Sequence, residues 1–306
     1  MNHSLYFSII IPTFNRSDFI LKSVMSVLEQ EYKNFEIIVV NDGSTDSTIE
    51  TLKTITDSRL KVINIKNSER AAARNRGVEE AKGDYISFLD SDDIYYNNYL
   101  SNANKVLIIQ ETPAFFHQAY EIKTEEGKKL HYDIEFPDGV KFLIKGNPLS
   151  CLGIFIKREI ALQFPFIDDR RLAGSEDWEL WIRLAANYGL TKDNTITSCL
   201  IVHDDRSVLK VDKENLLLRK QLLLHYVFQD NKVKEVFGRY KNKMIAYTYT
   251  YSSLHLVLDG KSLIGLKYFL KAILKYPICI FDRRTLGIAK HLFLNSIKKQ
   301  PLIKHN

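Results

Sequence analysis

Between residues 7 and 89 short apolar runs take turns with amphipathic stretches. Phe7–Ile11 is a β-branched run closed by Pro12, Phe19–Leu28 spaces Ile20, Val24, Val27 and Leu28 at helical intervals, and Phe35–Val40 is a second apolar run. Asp46–Ile55 reads as a helix entered through Ser44-Thr45-Asp46, Leu60–Ile65 as a third strand, Ala71–Ala81 as a helix stopped by Gly83, and Tyr85–Leu89 as a fourth strand. Strands alternating with helices predict an α/β fold: a Rossmann-like, mostly parallel sheet with flanking helices and ligands at the carboxyl ends of its strands.

Beyond Ile94 the alternation loosens. A helix is predicted over Leu100–Ile109, strands over Ala114–Ile122 and Gly153–Ile156, a helix over Trp178–Ala186 and a strand over Thr197–Val202. In the helix, Leu180, Trp181, Leu184 and Ala185 share one side, so Trp181 reads as core, although Trp178 and Trp181 could also stack on a sugar. From Lys213 onward long helical patterns succeed one another, Lys213–Gln229, Val233–Leu258 and Leu263–Leu274, with Pro277 as a break. The predicted division is a body, residues 1–210, and an α-helical C-terminal extension, residues 211–306.

Composition narrows the class. With 45% apolar and 26% charged residues over 306 positions, disorder and fibrous repeats are excluded. The three cysteines are far apart and lack CxxC spacing, so neither a disulfide framework nor a zinc site is indicated and a reducing compartment is expected. Met1-Asn2-His3-Ser4-Leu5 has no basic or apolar leader pattern, and no apolar run approaches the ~18 residues of a membrane span, so a cytoplasmic protein is expected. The net charge of +6 conceals a split: residues 207–306 carry 19 Lys and Arg against 6 Asp and Glu, or +13, which leaves −7 on residues 1–206. Such asymmetry predicts an anionic partner for the tail, and cations or masked phosphates for the body.

Carboxylates fall where strands end. Val39-Val40 runs into Asn41-Asp42-Gly43-Ser44-Thr45-Asp46, and Phe88-Leu89 into Asp90-Ser91-Asp92-Asp93. In a parallel sheet these ends share one edge, so both clusters should line a common crevice. Carboxylates this dense repel unless a cation compensates, and hard oxygen donors suit Mg²⁺ or Mn²⁺ bridging to substrate phosphates. A solvated turn with a helix N-cap is the bland alternative.

The segments Ser8-Ile9-Ile10-Ile11-Pro12-Thr13-Phe14-Asn15-Arg16, Val39 to Asp46, Ala73-Arg74-Asn75-Arg76-Gly77 and Gly83 to Asp93, in that order, resemble the family 2 glycosyltransferases, inverting enzymes with the GT-A nucleotide-sugar fold. The likeness is sharp over residues 7–93, returns at Gly174-Ser175-Glu176-Asp177-Trp178 and is absent as motif beyond about residue 207. It implies a nucleotide-binding half, residues 1–93, and an acceptor half, residues 94–210. Pro12, Thr13 and Asn15 would hold the nucleotide, and Asp42 would accept a hydrogen bond from uracil. Asn67 and Arg74 would reach the base or diphosphate, with Arg70 or Arg76 able to substitute. Asp90 and Asp92 form a DxD-type motif in which Asp92 binds the metal and Asp90 contacts ribose or metal-bound water. Asp93 is a secondary candidate or a cap for the next helix. Asp177 would take the proton of the acceptor hydroxyl while Glu176 orients the acceptor; alternatively Ser175, Glu176 and Asp177 merely make a favourable helix N-terminus. His203, just after a strand, would be a metal or diphosphate contact.

The implied reaction is Mn²⁺- or Mg²⁺-dependent transfer of one sugar from a UDP-sugar to a hydroxyl of a glycan or lipid-linked acceptor, with inversion, in cell-surface polysaccharide or glycoconjugate synthesis. The Gln-x-x-Arg-Trp motif of processive synthases is not found. In the tail, Lys267, Lys271 and Lys275 share a helical face while Leu263, Leu266, Phe269, Leu270, Ile273 and Leu274 cover the remainder. That pattern predicts attachment to an anionic membrane surface, on its inner face, or a helical subdomain packed on the body or on a second copy in a homo-oligomer; the readings are compatible. No nucleic-acid partner is expected, since the mixed aromatic and basic stretch Phe237-Gly238-Arg239-Tyr240-Lys241 belongs to no recognised motif. The competing classes are a sugar nucleotidylyltransferase, which would show a glycine-rich basic loop where Pro12-Thr13-Phe14-Asn15-Arg16 stands, and a nucleic-acid-binding protein acting through the basic tail.

Overall fold

The computed structural model describes residues 4–130, 139–204 and 215–298. Its contacts divide the chain into two units, one of Met1–Val140 with Asn147–Leu209, the other of Lys141–Gly146 with Lys210–Asn306.

The first unit opens with β1 (Phe7–Thr13), α1 (Ile20–Leu28), β2 (Phe35–Asn41), α2 (Thr48–Lys53), β3 (Leu60–Asn64), α3 (Glu69–Glu80) and β4 (Tyr85–Phe88). It continues with β5 (Ile94–Tyr95), α4 (Tyr99–Ile109), β6 (Phe115–Thr124), β7 (Lys129–Leu130), β8 (Ile154–Lys157), α5 (Arg158–Gln163), α6 (Glu176–Tyr188) and β9 (Thr191–Val202). The strands form one mixed sheet in the order β3-β2-β1-β4-β8-β6-β9-β5, with β7 paired to β6.

From β3 to β4 every pairing is parallel. β1 is buried along its whole length, which its unbroken apolar run requires of a strand covered on both faces. It runs past Pro12 to Thr13 on its β2 side alone; pairing with β4 has already stopped at Ile10↔Phe88, so the missing N–H interrupts no ladder there. Helix α3 lies against β1 through Gly77, where a Cβ would come within 2.4 Å of Ile10 Cγ2. The antiparallel pairings, β4 with β8, β8 with β6, β6 with β7 and β5 with β9, all involve strands from the less readable segment after residue 94. β9 begins at Thr191, before the expected Thr197, and pairs parallel to β6 with a register break between Gln118 and Tyr120. One apolar core unites β1, β2, α1, α4 and Phe155 of β8.

The second unit consists of α7 (Leu216–Val227), α8 (Asn231–Phe237), α9 (Lys241–Leu258), α10 (Ser262–Lys275) and α11 (Arg283–Lys298), with 3₁₀ turns at Gly238–Tyr240 and Pro277–Phe281. The helix expected over Val233–Leu258 is two helices, parted at Gly238. The start of the helix expected from Lys213 lies outside the described residues, and α11 falls within the expected helical extension although no separate helix was delimited there. Helix α10 packs within this unit. It meets α9 through its small residues: Gly265, where a Cβ would sit 2.4 Å from Val257 Cγ2 and 3.1 Å from Ser253 O, and Ala272, which joins Ala246 and Cys279. Its leucines lie on the outer side. Among the described residues no helix is long and apolar enough to cross a membrane.

Candidate active site

The loops leaving β1 and β2 are tied together. Asn15, with φ +50°, accepts at Oδ1 from the Thr45 N–H (2.8 Å), while its own N–H donates to Ser44 Oγ (2.9 Å). Asparagine tolerates this left-handed backbone, and its amide doubles as the staple between the loops. Pro12 and Thr13 are buried in the strand just before it. Asp42, following β2, is buried and accepts from the N–H groups of Ser68 (2.7 Å) and Glu69 (2.9 Å), which fixes the start of α3. Burial pushes its carboxyl above the usual range, against the pull of those two donors. Asn67 donates to the Asp42 carbonyl (3.1 Å), and its own carbonyl and amide oxygens accept from Arg170 (2.8 and 2.9 Å).

Arg74 is the hub. The surface position that its place on α3 allows is not the one it occupies: the guanidinium is buried, 5.4 Å from the Phe166 ring, and joins two carboxylates. Nη2 donates to Asp90 Oδ1 (2.8 Å) and Nη1 to Glu176 Oε1 (3.0 Å), so α3 clamps the end of β4 to the start of α6. Glu176 Oε2 accepts from the N–H groups of Gly174 (2.6 Å) and Ser175 (3.0 Å), and Arg70 Nε stands 3.7 Å from Oε1. Burial presses the Glu176 carboxyl upward, but Arg70, Arg74 and the backbone donors outweigh it and hold the group below its ordinary range. Both its oxygens are thereby engaged inside the protein. Arg76 turns away, pairing with Glu79 and Glu80 on its own helix. Asp93 caps no helix: α4 starts at Tyr99 after Asn98, and the buried Asp93 carboxylate accepts instead from the Ile201 N–H of β9 (2.9 Å).

Two of the residues expected at the metal lie side by side. His203 Nε2 is 3.2 Å from Asp92 Oδ2, and the imidazole stacks on Phe19 with ring centres 4.4 Å apart. Arg16 Nε stands 3.5 Å from the same Asp92 oxygen. Among the described residues no group of three or more His, Cys, Asp and Glu could enclose a metal. One carboxylate and one imidazole fit a cation that takes its remaining ligands from water and phosphate oxygens, as Mg²⁺ and Mn²⁺ do at nucleotide sites. A cavity of about 210 Å³ opens beside Asp92, lined also by Asp18, Lys22, Glu125 and Ile201.

Asp177 is half-buried at the first turn of α6. Oδ2 accepts from Asn147 Nδ2 (2.8 Å) and Oδ1 from the Trp178 N–H (2.7 Å). Ser175 does not cap the helix; its hydroxyl donates to the Gly174 carbonyl (2.8 Å). Trp181 is core, stacked on Phe115 and edge-on to Phe166. Arg16, Asn147 and Arg170 are the residues sequence reasoning missed. Arg16 stood inside a quoted motif without a role, whereas Asn147 sits in an irregular segment and Arg170 opens a single 3₁₀ turn, Arg170–Leu172, too short for any periodicity to flag.

Comparison with known proteins bears on the family and the fold. The model of the family described as Glycosyl transferase family 2 matches residues 8–154. The chain is 34% identical over 195 residues to the UDP-Glc:alpha-D-GlcNAc-diphosphoundecaprenol beta-1,3-glucosyltransferase WfaP of Escherichia coli, a match covering 61% of this chain and 73% of that protein. It is 42% identical over 124 residues to an uncharacterized glycosyltransferase of Rickettsia bellii, covering 40% of this chain but only 18% of that much longer relative. In fold it resembles S. aureus TarS 1–349 in complex with UDP-GlcNAc, with a TM-score of 0.67 at 16% identity, covering 96% of this chain and 91% of that one. The mixed sheet with flanking helices is thus the GT-A arrangement.

Proposed function

The chain belongs to glycosyl transferase family 2, and on that premise we propose that it moves one sugar from a UDP-sugar to a hydroxyl of a glycan or lipid-linked acceptor, with inversion at the anomeric carbon. The observation that carries this reading is the buried Arg74 bridge, which ties the strand-end Asp90 to Glu176, the neighbour of Asp177. Asn15, Asp42 and Asn67 hold the nucleotide at the ends of β1 and β2. Asp42 keeps lone pairs beyond those given to Ser68 and Glu69 and accepts from the uracil N–H. Arg74 serves as a positioning residue, and Arg70, more exposed than Arg74, meets the diphosphate.

Asp177, held at both oxygens by Asn147 and the Trp178 N–H, takes the proton of the acceptor hydroxyl as that oxygen forms its bond to the anomeric carbon. The bond from that carbon to the diphosphate breaks on the opposite face, and UDP leaves with the electron pair. Asp92 and His203 would hold Mn²⁺ or Mg²⁺, which when bound would supply charge neutralisation for the departing diphosphate. The substrate named for WfaP, a diphosphoundecaprenol-linked sugar, supports a lipid-linked acceptor. A basic helical region drawn to anionic headgroups, at about 1 kcal/mol per Lys or Arg near the surface, would bring the enzyme to that acceptor on the cytoplasmic face.

Calorimetric titration of UDP with and without Mn²⁺ tests the donor site. The parent is expected to bind UDP more tightly with Mn²⁺ present, and Asp92→Ala to lose that gain while still binding UDP. Equal affinity in all four combinations of protein and metal removes Asp92 from the metal site.

A further inference from the structure

Helix α10 is amphipathic in the opposite sense to a packed surface helix. Gly265 and Ala272 face α9, while Leu263, Leu266, Leu270 and Leu274, spaced at three and four residues, form a stripe on the outer side. Leu263 is 82% exposed, Leu270 53% and Leu274 83%. Lys267, Lys271 and Lys275 are exposed as well and follow the stripe as a parallel row at four-residue spacing. The next turn adds Phe281, 88% exposed, and α11 repeats the arrangement with outward Leu286 and Phe293 beside Arg283 and Lys290. Soluble helices scatter single exposed leucines, but they do not align four of them along one face without something to cover it.

Charge selects the cover. From Gly260 to Lys298 there are eight Lys and Arg and a single acid, Asp282, which already has Lys145 at 3.5 Å. A second copy of this face would set like charge against like charge and offer the lysine row no partner. A surface that is apolar beneath and anionic at its boundary satisfies both rows at once.

We propose that the leucine stripe of α10, continued by Phe281, is an interfacial anchor: it enters the acyl boundary of an anionic bilayer lying in its plane, with Lys267, Lys271 and Lys275 at the headgroup phosphates. This rests on the reading that the helical region meets an anionic membrane and deepens it, because attachment by lysines alone is screened by salt whereas apolar insertion is not.

The test uses the full chain with phosphatidylglycerol–phosphatidylcholine vesicles at low salt and at about 1 M salt, where screening is nearly complete. The parent is expected to sediment with vesicles at both, and Leu263→Ser/Leu270→Ser/Leu274→Ser to lose at least ~10-fold in partitioning and all salt-resistant binding. Unchanged UDP affinity and circular dichroism show that this variant is folded. Leu270→Cys carrying an environment-sensitive dye, in a chain whose own cysteines are buried, is expected to shift its emission to the blue on vesicles. Binding that salt abolishes, with no dye shift and no effect of the serines, overturns insertion and leaves electrostatic attachment standing. Failure of the parent to sediment even at low salt overturns the membrane reading as a whole. A dimer abolished by the serine substitutions, seen without vesicles, assigns the stripe to a second copy instead.

Discussion

The two units break the rule of apolar inside and polar outside in opposite directions. The sheet unit buries Arg74, Asp42, Asp93, Glu176 and Glu179, and meets each with partners from its own fold. The helical unit leaves Leu263, Leu274 and Phe281 exposed among the described residues. Buried charge satisfied internally makes a rigid, pre-organised site, because removing any member strands the others in a low dielectric. Exposed apolar surface has the reverse logic: it is stable as it stands and acquires meaning only when something outside covers it. The first departure therefore points to chemistry, the second to a place where the chemistry happens.

Breaking the internal side of this contrast should have the largest effect. Arg74→Met leaves Asp90 and the buried Glu176 without their shared cation, and loss of one partner of a buried ion pair typically destabilises by about 3–5 kcal/mol. Urea unfolding of the parent and of Arg74→Met, Glu176→Gln and the double variant measures it. The double variant is expected to be less destabilised than the two singles added together, since with Glu176 neutral Arg74 has one carboxylate fewer to satisfy. Additive single effects, or a stable Arg74→Met, mean that the clamp between β4 and α6 is held by other contacts.

Next in size is Asp177→Asn. The amide keeps the shape and can still meet Asn147, but it takes no proton, so turnover should fall by at least ~10²-fold, about 2.7 kcal/mol of barrier, while UDP affinity stays near the parent value. Binding and chemistry separate in that result. Transfer at the parental rate by a folded Asp177→Asn moves the base elsewhere.

The same contrast explains how far the sequence could be read. Residues 7–93 were legible because parallel strands are continuous apolar runs and because Asp42 and the Asp90–Asp93 cluster stand where such runs stop. What escaped is pairing: the family resemblance implied a uracil contact for Asp42 and orientation of the acceptor for Glu176, whereas the structure also gives their oxygens backbone donors and, at Glu176, an arginine that no spacing reveals. Arg170 acts from a single 3₁₀ turn and Asn147 from an irregular segment, and the antiparallel strands β6 and β8 come from a stretch whose order only the folded sheet discloses. In the tail the apolar period of α10 was legible, but not which side of it packs. Membrane attachment and packing as a subdomain both stood open for that pattern, and it is close approach of two helices through Gly265 and Ala272 that sets the side meeting α9.

The smallest expected effect is the sharpest test of that last point. If α10 packs by its small residues, Gly265→Val drives a branched side chain into Val257 and the Ser253 carbonyl, an overpacking that typically costs about 1–3 kcal/mol beyond the difference in helix propensity. Leu274→Ser, two turns away on the outer side, should change unfolding free energy by no more than about 0.5 kcal/mol, the range of ordinary surface substitutions. The order is the reverse of what residue size suggests, since the leucine is the larger apolar group. Thermal unfolding of both variants in the absence of lipid decides it: a loss of about 2 kcal/mol or more at Leu274, on the scale of a buried leucine, would make the stripe part of a folded core and remove the reason to seek a partner for it.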